Sequence, residues 1–206
     1  MTQSPNVDDK VWFDEEHKLA GILTDISSAI TAGNNVLVLS HFPVALTKLI
    51  RRLSDANIQH RSYSTYDTPQ LCEAMPGTVW VGLARAFQAP PAIHVSGANK
   101  AQLKIIVLEH HPLRSKDQAL LDFAEKLSCS PQLCFYFALD DPLLQHFNGD
   151  SVQRLLTKIG IDESETLSHP LITKAMANAQ EKIESSVPQD LQTESIEDWF
   201  RYNIHG

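Results

Sequence analysis

Apolar positions along the chain switch between a helical and a strand-like period. From Asp14 to Ala32, Leu19, Leu23, Ile26 and Ile30 recur at helical spacing, with acidic residues in the first turn and Gly33 as a stop. Val36 to Leu39 is an unbroken apolar run between Asn35 and Ser40. Such a run predicts a strand buried on both faces, as in a parallel sheet. Leu46, Leu49, Ile50 and Leu53 form a second helical stripe, which Asn57 can end. Short strands are predicted over 58–63, 78–81 and 103–108, and a last one over 133–139. Between them lie a helix opened by Pro69, a turn at Pro76 and Gly77, a loop over 84–100 and a helix from Lys116 to Leu127. Helices then dominate, over 142–147, 152–159, 168–184 and 196–202.

Strands that alternate with helices predict an α/β fold with a parallel sheet. The division expected is a flexible N-terminus over 1–10, an α/β domain over 11–160, and a helical extension over 161–206. Within the extension, the polar stretch 185–194 reads as a linker and the aromatic tail follows it.

Composition narrows the function classes. The 206 residues are 43% hydrophobic and 20% charged, enough for a core and ordinary for a soluble domain. A net charge of −8 argues against nucleic acid as a partner, which calls for a basic field. The compact cations Lys48, Arg51 and Arg52 read as a solvated helix face. Cys72, Cys129 and Cys134 show no zinc or thioredoxin-like spacing, and their odd number without a signal peptide fits a reducing cytoplasm. No apolar run is long enough to span a membrane.

Three clusters invite chemistry. Glu109, His110 and His111 hold metal-ligating types, but a metal needs three or four converging ligands and the spacing shows no such set. They read as a strand-end cluster, and no metal is expected. Asp140 and Asp141 stand before a helix start, where carboxylates suit the dipole, so they read as caps. Ser40 and His41 are adjacent at a strand end and point opposite ways, which is no nucleophile–base pair.

The stretch from Phe135 to Glu184 carries a family pattern. It follows F-Y-L-S-x-E-D-x-L-M-x-x-F, then a helix ending L-G, then E-x-I-E-H-x-x-I-x-x-A-I-x-x-A-Q-x-x-V-E. This resembles SecA, the bacterial protein-translocation ATPase, where its second nucleotide-binding domain enters the helical region. Upstream, Val11 to Asp14 with Lys18 resembles the family's V-Y-x-T and K. Val36 to Val38 resembles its V-L-V strand, Ala56 to His60 its A-G-I-x-H, and Leu108 to His111 its G-T-E-R-H. The similarity covers roughly 11–184 in unchanged order and implies a RecA-like, helicase C-terminal-like sheet flanked by helices.

The resemblance also shows what has changed. No G-x-x-x-x-G-K-[ST] phosphate loop occurs in the sequence. In the family, late arginines reach the γ-phosphate and stabilise transition-state charge. Here the corresponding positions are Leu121, Phe123 and Lys126, and the intervening glycines are Asp122 and Glu125. Leu121 and Phe123 read as a helix face packed on the sheet. Arg114 and Asp117 match the family but precede the arginines, and Arg85 alone echoes a second nucleotide-coupled loop. Arg85, Arg114, Asp117 and Lys126 are thus the vestigial nucleotide-facing candidates, with no catalytic residue and no bound ATP or ADP expected.

The tail departs from the family. Ile196, Trp199, Phe200 and Tyr202 are candidates for binding a protein partner as a short helix in a groove. The same aromatics can instead fold back over the sheet. The expectation is a catalytically silent, stand-alone SecA-like module in the cytoplasm or peripheral at the inner membrane, binding a translocation component. The alternative is a nucleotide-binding half of an ATPase completed in trans by a separate P-loop subunit.

Overall fold

A computed structural model describes residues 7–64, 71, 74–87, 102–127, 129, 131–146 and 170–204. The helix expected over 152–159, the one opened by Pro69, most of the loop over 84–100 and the boundary at 160 lie outside the described residues.

Six strands form one sheet, β1 (Val7–Trp12), β2 (Asn35–Ser40), β3 (Arg61–Ser62), β4 (Val79–Leu83), β5 (Leu103–Val107) and β6 (Gln132–Ala138). Their order is β1-β6-β5-β2-β4-β3, and every pairing is parallel. The helices are α1 (Glu15–Thr31), α2 (Pro43–Asp55), α3 (Arg114–Lys126), α4 (Pro170–Ser186) and α5 (Ile196–Asn203), with a helical turn over 142–146. This is the expected α/β class, a parallel sheet flanked by helices.

Strand periodicity sorts the core into two faces. Val36 and Val38 of β2, Ile106 of β5 and Tyr136 of β6 pack with Ile22, Ile26, Leu49 and Leu53 of α1 and α2. Leu37, Leu39, Ile105, Val107 and Phe135 pack on the other side with Leu120, Phe123 and Ala124 of α3. A third cluster joins Val11 and Phe137 to Met176 and Ile183 of α4 and to Trp199 and Phe200 of α5. The helices also end as their sequences direct. Asp14 caps α1 by accepting from the His17 amide at 2.8 Å, and Gly33 follows with φ +73. Asn57 takes φ 56 after α2, a left-handed position that asparagine tolerates.

Two sequence expectations are corrected. Residues 7–10 are not flexible: they belong to β1, which pairs with β6 from Val7↔Leu133 onward. The polar spelling of β1 hid it, since Asp9 is buried opposite His110 and Lys10 pairs with Asp25 of α1. The stretch 185–194 is no free linker either, and its first two residues, Ser185 and Ser186, end α4. Its Glu194 carbonyl accepts from the Val44 amide at 3.0 Å, and Asp190 pairs with Lys116 at 2.9 Å.

Candidate functional site

β2 and β5 are neighbours in the sheet, yet the helices that follow them leave to opposite faces, α2 to one and α3 to the other. The carboxyl ends of such a strand pair frame the crevice in which open α/β sheets bind ligands. Here that crevice is built from Ser40, His41 and Phe42 after β2, and from Glu109, His110 and His111 after β5.

Glu109 crosses the crevice. Its Oε1 accepts from Ser40 Oγ at 2.7 Å, the His41 amide at 2.6 Å and the Phe42 amide at 3.3 Å. Phe42 offers α2 no side-chain cap, so Glu109 supplies the acceptor that the start of α2 lacks. Ser40 is fully buried, with its Oγ held between Glu109 Oε1 at 2.7 Å and the Phe42 carbonyl at 2.8 Å.

Asp117, in the first turn of α3, is the hub. Oδ1 accepts from His41 Nε2 at 2.9 Å and from the His111 amide at 3.0 Å. Oδ2 accepts from His110 Nδ1 at 2.7 Å and from Gln180 Nε2 of α4 at 2.6 Å. Burial opposes ionisation of this carboxyl, but the charge and hydrogen bond of His110, with those of His41, hold it well below the usual carboxylate range. Burial likewise opposes charge on His110; Asp117 and then Asp9, 3.7 Å from its Nε2, outweigh it and raise His110 to about 10. His111 is the reverse: burial, then the charge of His41, lowers it to about 3. Its Nδ1 accepts from the Leu113 amide at 2.9 Å, which fits a neutral ring. One charged and one neutral imidazole thus sit side by side, each set by its partners.

The tail closes this crevice. Trp199 is fully buried with its ring against His111, and its Nε1 donates to Asp190 Oδ1 at 2.8 Å. Phe200 is 6% exposed and stacks on His146. Trp199 and Phe200 are therefore removed as partner-binding candidates: their apolar area is spent within the fold. Ile196 is half-buried, and Tyr202 remains exposed.

The four nucleotide-facing candidates do not converge. Asp117 is 5% exposed and saturated by donors, so it faces the core. Arg114 and Lys126 are exposed at opposite ends of α3, about 18 Å apart along its axis. Arg85, exposed after β4, alone borders the narrow cleft that remains beside Asp190, in company with His41 and Lys116. Leu121 and Phe123 pack toward the sheet, while Asp122 and Glu125 are exposed. Sequence reasoning missed the Asp117 hub and the role of Lys116. The signal available was the run of three titratable residues at a strand end. Among the described residues, no group of His, Cys, Asp or Glu converges as a metal site. Asp141 does cap the turn over 142–146, its Oδ1 accepting from the Leu143 amide at 3.4 Å.

The chain is similar to known proteins over part of its length. The protein translocase subunit SecA of two strains of Acidithiobacillus ferrooxidans is 34% identical over 106 residues, which is 52% of this chain and 10% of that subunit. The match thus spans about a tenth of the curated relatives' length. No family model matches. Among solved structures, the C-terminal part of the Fun30 ATPase domain is 14% identical with a TM-score of 0.44, over 82% of this chain and 54% of that one. The C-terminal domain of a possible DNA helicase from Lactobacillus plantarum is 10% identical with a TM-score of 0.39, over 67% of this chain and 75% of that one.

Proposed function

We propose that this chain is a motor-type α/β domain that does not turn over ATP and serves as a binding or regulatory module in protein translocation. One observation carries the reading: the crevice at the carboxyl ends of β2 and β5 is filled by the chain's own Glu109, Asp117 and Trp199. A nucleotide entering there would have to displace a buried hydrogen-bond network and a buried indole. Leu121 and Phe123, where the resembling family keeps arginines, support the same reading by packing inward. The translocation setting rests on the partial similarity to SecA, and its partner would be a protein of that machinery. No described helix is long and apolar enough to cross a membrane. The proposed location is the cytoplasm or the inner surface of the membrane.

A second reading has one observation in its favour. Arg85 and Lys116 flank the remaining cleft and could meet a phosphate supplied from a separate P-loop subunit. Melting the protein with and without Mg-ATP or ADP separates the two. A ligand at a hundred times its dissociation constant stabilises by about 2.7 kcal/mol, worth roughly 5–11 °C in a domain of this size. No shift is expected. A magnesium-dependent shift that vanishes in Arg85→Ala would overturn the first reading and establish the second.

A further inference from the structure

A second cleft of about 220 Å³ opens at the same sheet edge but on the α1 and α2 face. Its floor holds Glu109, Asp141 and Lys18, respectively 4%, 7% and 8% exposed. Two carboxylates thus face one ammonium inside the cleft, while His41 acts on Glu109 and His110 on Asp141 from behind its floor. Glu109 Oε1 is fully used, but Oε2 is buried with no hydrogen-bond partner among the described residues. Lys18 also has no carboxylate within ion-pair distance among those residues, so it does not satisfy Oε2. A buried carboxylate oxygen without a donor is costly. Burial pushes both Glu109 and Asp141 above the usual carboxylate range, even against the pull of His41 and Lys18 on Glu109 and of Lys18 and His110 on Asp141.

The rim adds to the imbalance. Glu15 and Lys48 cancel each other at 2.9 Å, and among the described residues Asp140, which accepts from the Glu15 amide at 3.4 Å, and Glu197 have no ion-pair partner. The amino ends of α1, α2 and α5 converge nearby, each worth about half a positive charge. Those ends are already met by Glu15 and Glu16, by Glu109 Oε1 and by Glu197 and Asp198. The walls between rim and floor are apolar, from Phe42, Val44, Ala138, Pro142 and Ile196.

We propose that this cleft receives an arginine side chain from a partner polypeptide. The aliphatic stem would lie along the apolar walls and the guanidinium would donate to Glu109 Oε2 and Asp141. Arginine fits better than lysine, because its fork serves two carboxylates at once and is the less strongly hydrated cation. The inference goes beyond the motor-domain reading and stands on this cleft alone; a nucleotide bound beside Arg85 would leave it untouched.

The test is a titration of the isotope-labelled full chain with acetyl-Gly-Arg-Gly-amide, followed by backbone amide resonances. A neutral twin carrying citrulline in place of arginine is the control. The expected result is saturable shifts at Phe42, Val44, Asp141 and Ile196 with the arginine peptide only. Glu109→Gln and Asp141→Asn should each weaken binding about tenfold, a change of about 1.4 kcal/mol. Asp141→Asn carries the comparison should Glu109→Gln fail to fold. The proposal is overturned by no saturable shift at roughly 10 mM peptide, where a millimolar site would be filled. Equal shifts from the citrulline peptide overturn it too, as does arginine binding unchanged in the folded variants.

Discussion

The Trp199 indole stands edge-on to the His111 imidazole, with ring centroids 5.7 Å apart and planes at 76°. That contact joins the tail to the segment after β5 and packs it over the carboxyl edge of the sheet. His111 stacks Phe42 on another side at 5.6 Å, so the start of α2 is tied to the same point.

Trp199→Ala should therefore be among the most damaging single changes, costing about 3–5 kcal/mol for loss of a fully buried ring. Trp199→Phe keeps one aromatic ring but loses the donor to Asp190 and the volume of the second ring, for about 1–3 kcal/mol. Urea unfolding of both variants reads the difference. A cost below 1 kcal/mol for the alanine variant would mean that the tail rests on the domain without being part of its core.

The neighbouring histidines predict opposite pH limbs. Unfolded, each titrates near 6.5. His110, facing Asp117 and Asp9, is raised to about 10, so its stabilisation is complete below pH 6.5 and is lost as pH climbs toward 10. His111, facing His41, Asp117, Asp190 and Lys116, is lowered to about 3, so its stabilisation is complete above pH 6.5 and is lost as pH falls toward 3. Each limb slopes by about 1.4 kcal/mol per pH unit. Subtracting the stability profile of His111→Asn from that of the wild type should leave only the acid limb. The same subtraction with His110→Asn should leave only the alkaline limb. Asparagine retains a polar atom near Nδ1 in both. Flat difference profiles between pH 5 and 9 would refute these assignments.

Much of this architecture is legible in residue order, for identifiable reasons. β2 declares itself because both its faces are buried, so every position from Val36 to Leu39 must be apolar. α3 declares itself because Leu120, Phe123, Ala124 and Leu127 share one stripe. β1 does not, because Asp9 and Lys10 are tolerated only through His110 and Asp25, partners distant in sequence. The hub fails to announce itself for the same reason. Asp117 collects donors from β2, β5 and α4, and no local spacing encodes that convergence. The tail's aromatics are visible in the sequence, but whether they face a partner or their own sheet depends on a cavity that only packing creates.

Gly21 makes a prediction from close approach. A methyl group there would lie 2.1 Å from Trp12 Cζ2, inside contact distance. The indole bridges from β1 onto α1 and is 9% exposed, so it cannot swing away without opening the edge of the sheet. Gly21→Ala should destabilise by about 1–3 kcal/mol, although alanine is the better helix former by about 1 kcal/mol. Trp12→Ala in the same background should remove the clash, so the double variant should be less destabilised than the sum of the two single changes. Strict additivity in denaturant unfolding would show that the two side chains do not meet.

Restoring the arginines of the resembling family should not restore a nucleotide site. Phe123 is 3% exposed and points from α3 into the sheet among Leu37, Ile105 and Phe135. Phe123→Arg would bury a guanidinium with no carboxylate in that cluster, and a loss above about 4 kcal/mol is expected. Leu121 lies at the margin of the same cluster, so Leu121→Arg can turn its charge toward water and should cost about 1 kcal/mol. Neither variant is expected to hydrolyse Mg-ATP, because Leu121 and Phe123 lie beyond Lys116 and Ala119, the α3 residues that border the crevice beside Asp190, and Phe123 is packed into the sheet. Phosphate release by the folded Leu121→Arg variant, absent from the wild type, would mean that α3 presents this stripe to nucleotide after all. The packed stripe would then be one arrangement of the helix among several, and the covered edge of the sheet would be open to motion.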